Sequence, residues 1–208
     1  MLAGTRGQVD HALYAVALST GLRLGELLGL RWDDLDLDAR SLRVRSQMQH
    51  GKLSALKATW HRRTISLSGW LVLVLRAHAE LLIAQRQAAG LKWAERGLVF
   101  PTEHGTPQRA ANTWRAWQRL QARLEIQPTK FHNLRHTAAS LALQAGVPLW
   151  KVSKMLGHRD VAVTFRVYSH LTPEGSEDIA ERMEAVLAGP AWAEVVKEVV
   201  GQPMLNSA

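Results

Sequence analysis

The sequence predicts a mainly α fold with a small antiparallel β-sheet (α+β), and three observations carry that prediction. Apolar residues recur at helical spacing along most of the chain, one short segment alternates with a period of two, and turn residues punctuate the boundaries between them. Residues 8–19 form an apolar helical run that Gly21 stops, and residues 22–30 read as a second short helix. Residues 41–47, SLRVRSQ, alternate with Leu42 and Val44 on one face and Arg43 and Arg45 on the other. His50 and Gly51 supply a turn, and the chain returns as hairpin strands at Lys57 and at residues 63–67. Residues 70–87 predict a long helix, 98–100 a short strand and 103–107 (EHGTP) a loop. Further helices are expected over 110–124, 131–144, 149–155 and 173–187, the last opened by Thr172 as N-cap and Pro173 in its first turn.

Composition narrows the functional classes. A chain of 208 residues suffices for one ordinary domain plus a short appendage. Lys and Arg total 26 against 18 Asp and Glu, an excess that points to a polyanionic partner. The excess is local: residues 40–63 carry seven bases and no acid, whereas residues 174–208 carry seven acids and two bases. The absence of cysteine excludes disulfides and thiolate metal sites. No apolar run approaches the roughly 18 residues a membrane span needs, so a cytoplasmic protein is expected.

The segment HNLRHTAASLALQAGVPLWKVSKMLGHRDVAVTFRVYSHL, beginning at His132, is the most informative stretch. His132 and Arg135 are three apart and share a helix face, so one phosphate could touch both. Gly157 follows an apolar helical run as a C-cap does and sets His158 at the mouth of a turn. Tyr168 stands ten residues further on. His132 and His136 also have the i, i+4 spacing of a metal pair, but Arg135 between them would repel the cation, and no metal site is expected. His136 is read as packing or bonding locally.

Together with TGLRLGELLGL at residues 20–30, this segment resembles the phage-integrase family of tyrosine recombinases. The resemblance runs from about residue 12 to residue 173, with two arginine boxes in the family's order and a tyrosine in TFRVYSHLTPE. It implies the tyrosine recombinase catalytic-domain fold of DNA breaking-rejoining enzymes over residues 1–188. It further implies a site made of Arg23, Lys57, His132, Arg135, His158 and Tyr168. Tyr168 would be the nucleophile; a phenol with a pKa near 10 attacks weakly unless cations favour the phenolate. Arg23 and Arg135 would clamp phosphate oxygens with planar forks that stay charged, and Glu26 would hold Arg23 as an ion pair. His132 and His158 would bond the scissile phosphate and help move protons. Lys57, in LKATWHRRTISL, would protonate the departing 5′ oxygen; Lys52 is its rival, and spacing to the strand favours Lys57. His170 is either supportive or simply exposed. Arg43, Arg45, Arg62 and Arg63 are expected on the DNA backbone.

The implied reaction is site-specific recombination or integration of double-stranded DNA through a 3′-phosphotyrosyl intermediate, with neither metal nor other cofactor. The alternatives are a DNA-binding remnant without strand exchange and a type IB topoisomerase-like relaxing enzyme. Family members act as tetramers on DNA, so a homo-tetramer associated with the nucleoid is expected, a monomer when free. Residues 189–208 form a C-terminal tail in which Trp192, Val195, Val196, Val199 and Val200 make an apolar helical stripe. That stripe would dock on a neighbouring protomer or fold back on its own domain. The family's N-terminal core-binding domain is expected to be absent, and DNA binding to be correspondingly weaker and less selective.

Overall fold

Helix α1 (His11–Thr20) is buried almost all round, with Leu13, Tyr14, Ala15, Val16 and Ala17 in the core. The computed structural model describes residues 2–5, 10–56 and 59–169, which lie within one compact unit over 1–172. The expected helix at 173–187, the apolar tail stripe, Lys57 and His170 lie outside the described residues. Gly21 ends α1 in the left-handed region, φ 63°, where only glycine sits without strain. The chain then enters the short helix α2 (Leu24–Leu28), with Arg23 as its N-cap.

Strands β1 (Leu35–Asp36), β2 (Ser41–Val44) and β5 (Arg63–Ser66) form a three-stranded antiparallel sheet in the order β1-β2-β5. β3 (Ser46–Gln49) and β4 (Lys52–Ala55) make a separate hairpin. His50 and Gly51, both at positive φ, form its two-residue turn, a geometry that matches strand twist. The strand expected over 41–47 is therefore interrupted at Arg45, because the ladder changes partner there: β2 pairs with β5 and β3 with β4. On β2 and β5, Leu42 lies opposite Ile65 and both face the core. Arg43 and Thr64 face outward.

Ser68 caps α3 (Gly69–Ala89), its side chain accepting from the Leu71 amide at 3.2 Å. Residues 98–100 are no strand but a buried segment joined by an isolated bridge between Arg31 and Leu98, since one partner on one side cannot sustain a ladder. Four helices follow: α4 (Ala110–Arg123), α5 (Asn133–Gln144), α6 (Leu149–Leu156) and α7 (Val161–Tyr168). Helix α7 is an addition to the elements read from the sequence, and it forms although Val161, Val163, Thr164 and Val167 are β-branched. Asp160 nevertheless caps it, accepting from the Ala162 amide at 2.8 Å.

Among the described residues, two apolar cores result. The larger joins α1, α2, the sheet, α3 and α4 around Tyr14, Trp117 and Phe131, whose ring centroids lie 5.6 to 6.3 Å apart. The smaller holds Ala139, Leu143, Val152, Leu156 and Tyr168 between α5, α6 and α7. The site described next lies where the two meet, at the C-terminal ends of α1 and α6. Among the described residues, no helix is long and apolar enough to cross a membrane.

Candidate active site

Arg135, in the first turn of α5, is 4% exposed and spends its fork on the main chain. Its Nη1 donates to the Gly21 carbonyl and its Nη2 to the Leu156 carbonyl, each at 2.7 Å. These carbonyls terminate α1 and α6, where the helix dipole is negative. Burial and then the neighbouring Arg23 charge lower the Arg135 pKa to about 10, which leaves it cationic at neutral pH.

His158 follows Gly157, the left-handed C-cap of α6 at φ 71°. A side chain on Gly157 would also approach the Arg63 Nη1 to 3.0 Å, so glycine permits both the turn and the packing. The His158 Nε2 lies 3.1 Å from Arg135 Nη2 and its Nδ1 lies 2.8 Å from the Thr164 hydroxyl. Because a guanidinium can only donate, Nε2 accepts and Nδ1–H donates to Thr164 Oγ1, which fixes the neutral tautomer. Burial, reinforced by Arg135, Arg23 and Arg63, lowers its pKa to about 4.

Arg23 is half-buried at the entrance to α2 and donates from Nη1 to Glu26 Oε1 at 2.9 Å. The Glu26 side chain is fully buried and also accepts from the Arg23 amide at 2.9 Å. Its second guanidinium partner was not foreseen. Arg63 Nη2 meets Glu26 Oε2 at 2.9 Å, and its Nε donates to the Met155 carbonyl at 2.6 Å. Burial would raise the Glu26 carboxyl, but the Arg63 and Arg23 contacts outweigh it and hold it below the usual carboxylate range. Arg63, expected on the DNA backbone, instead occupies an inward position of β5, as Ile65 does, with its donors engaged inside. The alternation RRTISL, with Arg62, Thr64 and Ser66 outward, was the available signal.

His132 precedes α5 and sits edge-on to His136, with centroids 5.2 Å apart. Burial, then the His136, Arg135 and Arg23 charges, lower the His132 pKa. Tyr168, the last residue of α7, is 4% exposed, and its hydroxyl lies 2.7 Å from His136 Nδ1. Burial raises the phenol pKa against the pull of Arg135. His136 thus has a partner that spacing within its own helix did not reveal.

Arg43, Arg45 and Arg62 are exposed and line, with Trp60, Trp150, Lys154 and His158, a groove of about 700 Å³ beside this cluster. Arg45 is partly engaged, its Nε meeting Asp34 Oδ1 at 2.5 Å, and Arg43 donates to the Asp33 carbonyl at 3.3 Å. His61 Nδ1 lies 3.5 Å from Arg23 Nη1, a further neighbour that sequence reasoning did not select.

The structure thus gathers a buried phenol, two forked cations and three imidazoles around the ends of α1 and α6. The chain belongs to the phage integrase family, whose family model matches residues 3–174. It is 31% identical over 194 residues to a XerC-like tyrosine recombinase of Caldanaerobacter subterraneus subsp. tengcongensis, covering 86% of this chain and 50% of that protein. It is 36% identical over 180 residues to an integrase of Streptomyces ambofaciens, covering 81% and 46%. The chain thus spans about half the length of these relatives. Among solved structures, the Tn1549 transposon integrase in complex with transposon right-end DNA superposes with a TM-score of 0.70 at 22% identity, over 90% of this chain and 63% of that one. The catalytic domain of bacteriophage HP1 integrase gives 0.54 at 20% identity, over 86% and 87%. These likenesses establish the tyrosine recombinase catalytic-domain fold.

Proposed function

We propose that this domain cleaves and rejoins double-stranded DNA at a specific site, by attack of Tyr168 on a backbone phosphate. The observation that carries the reading is the convergence of Arg23, Arg135, His132, His158 and Tyr168 from four separate stretches of chain around the ends of α1 and α6. In the reaction, the bond from Tyr168 Oη to phosphorus forms, the bond from phosphorus to the 5′ oxygen breaks, and that oxygen leaves as a hydroxyl after gaining a proton. Arg23 and Arg135 stabilise charge on the non-bridging oxygens. His158 contributes from the same side, and Lys57 is assigned the leaving-group proton. Energy stays in the 3′-phosphotyrosyl linkage, so a 5′ hydroxyl from a second strand can reverse the step. Arg43, Arg45 and Arg62 bind backbone along the adjoining groove, and strand exchange takes place in a homo-tetramer. The relatives named as recombinases and integrases support this reading.

A nicked suicide duplex tests it. Wild-type protein is expected to become covalently attached to the duplex in the presence of EDTA, and Tyr168→Phe to bind without attachment. Binding by wild type with no attachment would mean a DNA-binding remnant, and relaxation of supercoils without site preference would mean a topoisomerase.

A further inference from the structure

The family resemblance gives His132 and His158 a part in moving protons, but the hydroxyl of Tyr168 meets neither of them: its hydrogen bond is to His136. We propose that His136 is the acceptor of the proton that Tyr168 must lose, the general base that takes the phenolic proton through Nδ1 as Tyr168 attacks. The inference rests on the proposed cleavage reaction and concerns its least assigned proton.

The geometry is direct: Tyr168 Oη and His136 Nδ1 are 2.7 Å apart, within the reach a general base requires. Burial favours the protonated phenol, so Oη donates and Nδ1 accepts, which leaves the His136 proton on Nε2. His136 is itself exposed, so a proton taken at one nitrogen can leave to water from the other. The neighbouring histidine of the cluster is committed elsewhere, since both ring nitrogens of His158 are engaged by Arg135 and Thr164.

Charge around the pair is arranged for the transfer. The groups that act on it are His132 on the same helix, Arg135 one residue before it, His158 at the end of α6 and Tyr168 on α7. Arg135 favours the phenolate and His136 removes its proton, and because the two residues are consecutive on α5 they keep a fixed relation to each other. The balance is complete: the proton moves from Oη to Nδ1, the Oη–phosphorus bond forms, and the 5′ oxygen departs with a proton from the leaving side. In rejoining, the imidazolium returns its proton to the phenolate as the phosphotyrosyl bond breaks. The rings of His132 and His136 lie edge-on with centroids 5.2 Å apart, and burial, then the His136 charge, lower the His132 pKa.

The test measures covalent attachment rates on the nicked duplex with His136→Asn, whose amide oxygen can accept from the phenol but takes up no proton. Expected is a loss of roughly 10²- to 10⁴-fold in attachment rate, the range of general base catalysis, with DNA affinity unchanged. The deficit should persist on DNA carrying a 5′-bridging sulfur, whose leaving group needs no proton. It should shrink when Tyr168 is replaced by a fluorinated tyrosine, whose phenol ionises more readily. A rate within a few-fold of wild type, or rescue by the bridging sulfur, would overturn the assignment. A measurement on unsubstituted His136 guards against misfolding of the variant: the acid limb of the rate profile should stay in place when the phenol is fluorinated, and a limb that moves with the phenol refutes the base. Failure of wild type to attach at all counts against the cleavage reaction; attachment that ignores His136 counts against this inference alone.

Discussion

Glu26 should be the most sensitive single position for stability, and the reason can be worked from its contacts. Its carboxylate accepts from the Arg23 amide and Arg23 Nη1 at 2.9 Å, from Arg63 Nη2 at 2.9 Å and from Arg63 Nη1 at 3.3 Å. In Glu26→Gln an amide NH₂ must face a guanidinium, donor against donor, and Arg63 is left as a buried cation without a counter-charge. Removing one partner of a buried pair costs about 3–5 kcal/mol. For a domain of this size that corresponds to a fall in Tm of roughly 6–20 °C, at about 2–4 °C per kcal/mol. The pH dependence has a definite sign. Glu26 is held below its ordinary value of 4.5, so its contribution is full above that pH and is lost as pH falls through the lower folded value. Urea denaturation of both proteins at neutral and acid pH measures this directly. The gap between wild type and variant should be widest near neutrality and close in acid. A neutral-pH cost below about 1 kcal/mol, the level of a surface pair, or a gap that ignores pH, would refute the argument.

Three further outcomes follow from the same geometry. Arg135→Lys should reduce covalent attachment by at least about 10²-fold, because one ammonium cannot hold the Gly21 and Leu156 carbonyls and a phosphate in the same plane; quenched time courses on the nicked duplex would read it. His158 is neutral in the free domain with a pKa lowered to about 4, and a phosphate beside it must raise that value. DNA binding at mildly acid pH should therefore take up protons, measurable by titration calorimetry in buffers of different ionisation heat, and zero uptake would contradict the placement of His158 at the phosphate. Arg43→Ala and Arg62→Ala should each flatten the slope of log K against log salt by about 0.9, while leaving attachment at saturating DNA unchanged.

The sequence disclosed those parts of the site whose placement depends on neighbours along one helix or on a cap. Spacing i, i+3 set His132 and Arg135 on one helix face and Gly157 set His158 at a turn, whereas Arg23 entered only through the family resemblance. Contacts that depend on how elements stack were not legible. The partner of His136 is 32 positions away on a helix that the sequence reading did not assign, and Arg63 reaches Glu26 across 37 positions. In the second case a local clue existed, since period-two alternation turns Arg63 inward and Arg62 outward. The break in the strand at Arg45 had no such clue, because ladder partners are chosen by the fold as a whole. The larger core was readable from apolar periodicity in α1 and α3. The smaller one was not, since its boundary residue Tyr168 was read for its chemistry, whereas 96% of its surface is packed away.

The main-chain acceptors of Arg135 carry an evolutionary consequence. Carboxylate anchors can be lost by a single codon change and also cancel part of the charge they orient, as Glu26 does for Arg23 and Arg63. Peptide oxygens at two helix ends differ on both counts: no point substitution deletes them, and their partial charges offset less of the guanidinium's pull on an incoming anion than a full carboxylate would. Drift at positions 21 and 156 can therefore tilt this cation but cannot disarm it, and loss of function by that route must come through distortion of the helix termini.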